Sequence, residues 1–151
     1  MLVERLSYRS AAPVHYRVGG RMPLHSTGVG LVLLAHADEE LQERVLASRP
    51  VHQPEGVPVD VTDLRRQLAR VRRDGIAQWR RASPTPVFSL AAPIWDDSDR
   101  CCAALSVLVP SAAENPARGL TPALRAAARA VSRALGSPRA SRRPSTTTTG
   151  D

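Results

Sequence analysis

Aromatic residues are scarce, with one Phe, two Tyr and two Trp in 151 residues, which excludes the stacking platforms that hold single-stranded nucleic acid. Cysteine is scarcer still. Cys101 and Cys102 are neighbours in the chain, so they close no useful disulfide loop, and no second Cys-x-x-Cys or partner histidine gives them metal spacing. No run approaches the roughly 18 apolar residues that span a bilayer, and the opening lacks the charged, apolar and small-residue order of a signal peptide. The expectation is a cytoplasmic protein with no membrane partner, no disulfide and no metal.

Lysine is missing altogether, so all 21 basic residues are Arg; set against 14 acids they leave a formal charge of +7 and a pI near 11.1. Clustered basic charge would release counterions from a phosphate backbone. Here it is dispersed: Arg139, Arg142 and Arg143 lie near the C-terminus and the others are scattered along the body. With 42% hydrophobic and 23% charged residues, the chain has the composition of an ordinary folded domain. No internal repeat and no long linker divide it. Residues 1–136 read as one domain. Residues 137–151, SPRASRRPSTTTTGD, hold no large apolar side chain and read as a disordered tail.

Along the body, Leu2 to Tyr8 alternates at strand period and Val14 to Val18 suggests a second short strand before the Gly19-Gly20 break. Ser26 or Thr27 caps an apolar helix running to about Ala37. Gly28 and Gly30 in its first turn imply a close approach, either by a packed strand or by an anion meeting the free N–H groups of the helix start. Asp38 caps an amphipathic helix to about Ser48, and residues 49–60 read as a proline-rich loop. Thr62 is the expected cap of a third helix reaching Arg73, with Leu64, Leu68 and Val71 on its buried face and Arg65, Arg66, Arg70, Arg72 and Arg73 on solvated faces. Asp74-Gly75 ends it. Ile76 to Trp79 reads as a strand, 83–86 as a turn, and 87–95 and 101–109 as antiparallel neighbours joined at Asp96 to Arg100. Pro110 to Gly119 reads as loop, followed by a helix from Thr121 and Pro122 to Gly136. The sum is an α+β fold, an antiparallel sheet flanked by helices.

Three stretches in this order resemble the effector-binding domain of the IclR family of bacterial transcription regulators. Gly20-Arg21-Met22-Pro23-Leu24-His25-Ser26-Thr27-Gly28-Val29-Gly30 is similar to the family's Gly-(Arg/Lys)-x-Pro-(Leu/Met)-His-(Ala/Ser)-(Ser/Thr)-(Ala/Gly)-x-Gly helix start. Leu64-Arg65, Leu68-Ala69, Val71-Arg72 and Gly75 resemble its helix before the Gly-Tyr-Ala strand. Leu90 to Ile94, Ala103 to Val107 and the final Ala-rich helix are similar to the domain's C-terminal half. The resemblance implies a GAF-like or PAS-like sensor with a small-molecule pocket, self-association to dimers or tetramers, and DNA contact only through a winged helix-turn-helix domain. That domain and the first sensor strands would precede Met1, so the resemblance presents the chain as truncated at its N-terminus.

Carried over position by position, the resemblance implies an effector carboxylate held by the backbone of Gly28 and Val29, with Ser89 and Ser106 lining the pocket and Met22 and Val87 as apolar walls. Trp79 stands where the family has an acid, Arg80 and Arg81 follow in place of acids, Leu108 replaces a second serine, and Phe88 replaces a common arginine. These replacements imply an effector that is larger, more apolar or aromatic than a small 2-oxo acid. No cofactor is implied, and an enzyme is not expected: His15, His25, His36 and His52 are scattered, and no Gly-x-Ser-x-Gly, P-loop or His-Glu-x-x-His motif is present. His25 reads as a local packing residue and Cys101-Cys102 as strand filling.

Overall fold

The computed structural model describes residues 1–7, 17–52, 57–81, 86–111 and 116–142. Most of the turn expected at 83–86, most of the strand expected at 14–18 and the end of the tail lie outside them.

Helix α1 (Gly28–Ala35) is capped by Thr27, whose Oγ1 accepts from the Gly30 amide. This apolar helix is buried on nearly every side, with Leu31, Val32, Leu34 and Ala35 at 1% exposure or less. Asp38 caps α2 (Glu39–Ala47) by accepting from the Leu41 amide. The proline-rich stretch that follows carries a two-residue antiparallel pairing, β1 (Val51–His52) with β2 (Val57–Pro58). Helix α3 (Val61–Asp74) buries Leu64, Leu68 and Val71 as expected, but its cap is Asp60, which accepts from both Thr62 and Asp63 amides. Two residues can cap here, and Asp60, two positions ahead of Thr62, takes the role, one carboxylate oxygen accepting from both amides. Gly75 closes α3 in the left-handed region, φ 63°, where glycine carries no Cβ penalty.

The sheet is β3 (Ala77–Arg81), β4 (Val87–Trp95) and β5 (Cys101–Pro110), antiparallel in the order β3-β4-β5. Its pairing places Ala77 beside Ala91, Trp79 beside Ser89 and Arg81 beside Val87 on one face, and Arg80 beside Phe88 on the other. Because successive strand residues alternate faces, β4 serves two cores. Ala77 and Ala91 join α1 and α3 in one. Phe88, Leu90, Ala92 and Ile94 meet α4 (Pro116–Ala134) through Leu124 and Ala128 in the other. A strand buried on both faces reads as a continuous apolar run, and VFSLAAPIW is one.

Three expectations are corrected. The opening forms no strand among residues 1–7: Leu2 exchanges backbone hydrogen bonds with Gly19 and Gly20 at 2.8 and 2.9 Å, while Val3 and Leu6 stay exposed. Helix α4 begins at Pro116, not at Thr121, and carries Pro122 inside it. Ala117 and Leu120 pack against the α4-side core, so tertiary burial extends the helix upstream of a residue that costs it one hydrogen bond. The tail is ordered through Arg142. Ser137 caps α5 (Pro138–Ser141), donates to Asp99 at 2.9 Å and is fully buried. The Asp99 carboxylate of the β4–β5 turn, which also accepts from the Arg139 amide at 3.0 Å, anchors this segment.

Candidate functional site

The loop into α1 is pinned by Thr27, whose hydroxyl donates to the Pro23 carbonyl at 2.9 Å while accepting from Gly30 at 3.0 Å. A Cβ on Gly28 would fall 2.4 Å from Ser89 Oγ and 3.4 Å from the Ala91 Cβ. Of the two approaches left open by the sequence, the strand is therefore what Gly28 meets. A Cβ on Gly30 would meet the Pro23 and Leu24 carbonyls at 2.5 and 2.6 Å. The helix start is thus wedged between its own loop and β4. The first intrahelical backbone bond runs from Leu31 to Thr27, so the Gly28 and Val29 amides precede it and carry the positive end of the helix dipole.

Most of the expected residues converge on this face of the sheet. Ser89 lies beneath Gly28, with Trp79 and Leu108 as its two cross-strand neighbours. Val87 is two positions along the same face and fully buried. Ser106 pairs with Ala91, and so stands diagonal to Ser89. Val29 and Trp79 are half-buried against the α1–α3 core. Met22 is half-buried in the loop before α1, and none of these pairings ties it to the sheet.

A separate cleft of about 370 Å³ was not anticipated, and none of the seven expected residues lines it. It opens where β4 outruns β3. Ala77 is the first β3 residue and pairs with Ala91, leaving residues 92–95 without a strand on that side among the described residues. Pro93 has no amide to satisfy there, and the Trp95 amide donates to Ser132 Oγ at 3.0 Å. Around this edge stand Arg72 and Arg73 from α3, Arg125 and Arg129 from α4, and Arg139 from α5, against the single carboxylate of Asp74. Arg72 and Arg73 are exposed, as the helical pattern predicts, and they also border this opening, whereas Arg65 and Arg66 pair with Glu43 and Asp63. The available signal is Arg125 and Arg129 at i, i+4 on α4.

Half-buried His36 lines this cleft, edge-on to Trp95 with ring centroids 4.8 Å apart. Burial, and then the guanidiniums of Arg139 and Arg72, lower its pKa below the ordinary value of 6.5. The unfolded chain consequently takes up this proton first as pH falls, so the stability contributed by neutral His36 is present above about 6.5 and lost through the lower folded value. We expect the urea midpoint to fall over that acidic window and the His36→Gln variant to lose that part of the decline. Cys101 behaves oppositely: burial, with neighbouring Cys102 adding to it, raises its thiol pKa to about 11. Alkylation at neutral pH should therefore modify exposed Cys102 well before Cys101, as peptide mass mapping would read.

The α+β fold and the sheet face under α1 define a class that the comparisons identify. The family profile of the bacterial transcriptional regulator IclR C-terminal domain matches residues 1–133. The chain belongs to the IclR family. The HTH-type transcriptional regulator XynR of Escherichia coli is 30% identical over 139 residues, covering 90% of this chain and 55% of that protein. A solved IclR-type regulator from Silicibacter sp. TM1040 superposes with a TM-score of 0.80 at 30% identity, over 90% of this chain and 55% of the other. An IclR homologue from Microbacterium hydrocarbonoxydans, solved in complex with 4-hydroxybenzoate, gives 0.76 at 35% identity, over 87% and 54%. The chain spans about half the length of the curated relatives it matches. These curated relatives are named as transcriptional regulators.

Proposed function

We propose that this chain is the effector-sensing part of an IclR-type transcription regulator and that its effector is a small aromatic carboxylate. The observation that carries the reading is the start of α1: two amides ahead of the first helical bond, set above a face bearing Ser89, Ser106 and Trp79. A helix N-terminus favours an anion by hydrogen bonding and dipole together, and the half-buried indole of Trp79 suits an aromatic ring better than the acid it replaces. The relative solved with 4-hydroxybenzoate supports this chemistry. Calorimetry with 4-hydroxybenzoate and 4-hydroxybenzyl alcohol tests it. The acid should bind at least roughly tenfold tighter, because charge-assisted bonds to the amides exist only for the carboxylate; equal affinity, or no binding of the acid, contradicts the reading.

In this account the effector shifts an equilibrium between oligomeric arrangements, and DNA is contacted through a winged helix-turn-helix outside these residues. The exposed Val3, Leu6 and Val18, with the outer edge of β5 unpaired among the described residues, favour association to a dimer or tetramer. Light scattering across a concentration series should give a mass above one chain; a monomer at every concentration counts against it.

A further inference from the structure

The arginine-lined cleft between α3, α4 and α5 lies apart from the α1 start and calls for its own ligand. Three of its guanidiniums are held by backbone carbonyls. Arg125 donates to Asp74 O at 2.5 Å, Arg129 Nε to Ala140 O at 2.7 Å, and Arg72 to Ala35 O at 3.2 Å. Carbonyls fix these groups in place without cancelling their charge. Arg139 is fixed differently, 4.1 Å above the Trp95 ring. Arg73 alone meets a carboxylate, Asp74 at 2.7 Å.

Each guanidinium carries five donors in a rigid fork, so most of the N–H groups around the cleft remain for a ligand. A second observation points the same way: His36 Nε2 is buried with no hydrogen-bond partner among the described residues, and an unpaired buried polar atom is an exception that calls for a reason. The cleft's volume of about 370 Å³ falls within the range of small-molecule sites. No strand is invited in, because Pro93 lacks an amide and that of Trp95 is already taken.

We infer that this cleft is a second binding site, for a small multiply charged oxyanion carrying phosphate or several carboxylates. The guanidiniums of Arg72 and Arg139 bind it, Arg125 and Arg129 supply the surrounding field, and His36 Nε2 takes the innermost oxygen. Binding would relieve the repulsion that Arg139 and Arg72 exert on protonated His36.

Calorimetry on the full chain at low ionic strength, with inorganic pyrophosphate and citrate as probes and acetate as the monovalent control, tests this. One saturable site is expected for at least one probe; the tighter of the two identifies the ligand as phosphate-bearing or polycarboxylate. Arg72→Gln and Arg139→Gln should each weaken binding roughly tenfold, the loss expected for one charge-assisted contact. Arg44→Gln, which removes a surface arginine paired with Glu40 on α2, should leave it unchanged. Saturable binding should also move the His36 ring-proton titration to higher pH. If Arg139→Gln loosens α5, Arg72→Gln on α3 still decides the matter, with circular dichroism checking its fold. The inference is overturned by a lack of saturable heat with both probes, by acetate binding as well as either, or by an equal loss in Arg44→Gln. Retained 4-hydroxybenzoate binding in Arg72→Gln separates this site from the one at α1, so either can fail alone.

Discussion

Phe88→Ala is expected to destabilise the domain by about 3–5 kcal/mol, the cost typical of emptying a buried aromatic site. Phe88 is 1% exposed at the centre of the layer formed with Leu90, Ile94, Leu124 and Ala128. The Arg80 guanidinium, paired with it across β3 and β4, lies 4.6 Å from its ring centroid, and that contact would be lost as well. Whole domains have only about 5–15 kcal/mol of net stability, so the variant should sit close to its unfolding threshold. A conservative Phe88→Leu change leaves less empty volume and should cost less. Urea unfolding measures both, and a loss below about 1 kcal/mol for Phe88→Ala would mean that α4 is not packed on the sheet as described.

Gly30→Ala carries the second large effect, and its sign is the informative part. In an unconstrained helix the change would gain up to about 1 kcal/mol from propensity. Here the new methyl would face two backbone carbonyls, Pro23 O and Leu24 O, and the capping hydroxyl of Thr27 at 2.6 Å. None of these is the free end of a flexible side chain. Thr27 is committed in both directions, to Pro23 and to the Gly30 amide, so the cap moves when the loop moves. We expect a net loss of about 2–3 kcal/mol, at the upper end of overpacking costs, read as a lowered urea midpoint with little change in slope. Because the same shift displaces the Gly28 and Val29 amides, effector affinity should fall too. A stabilised Gly30→Ala protein would refute the wedged geometry of α1.

What could be read from the chain follows from how local each signal is. The α3 stripe of Leu64, Leu68 and Val71, the Asp38 cap and the β4–β5 hairpin are properties of short windows, and all appear in the fold. The upstream extension of α4 is not local: Pro122 argues for a start at Thr121 until Leu120 is seen against the sheet. The ordering of Ser137 depends on Asp99, a partner on another element that no window around the tail contains. The same holds at the two sites. Gly28, Ser89 and Trp79 were named together only through a family resemblance; the register sets Trp79 beside Ser89, and Gly28 lies against Ser89 from α1. The arginine cleft draws on three helices and a strand edge. Its residues resemble a solvated face until α3, α4 and α5 are brought around residues 92–95 of β4.

The measurement that bears most directly on the central claim is an amide-resolved NMR titration of this chain with 4-hydroxybenzoate. If the α1 start senses a carboxylate, the Gly28 and Val29 amide protons should shift downfield and saturate together as they acquire an acceptor, with the Trp79 indole responding at the same concentrations. Saturation elsewhere while those two amides stay fixed, or no saturable change at any amide, would contradict the account.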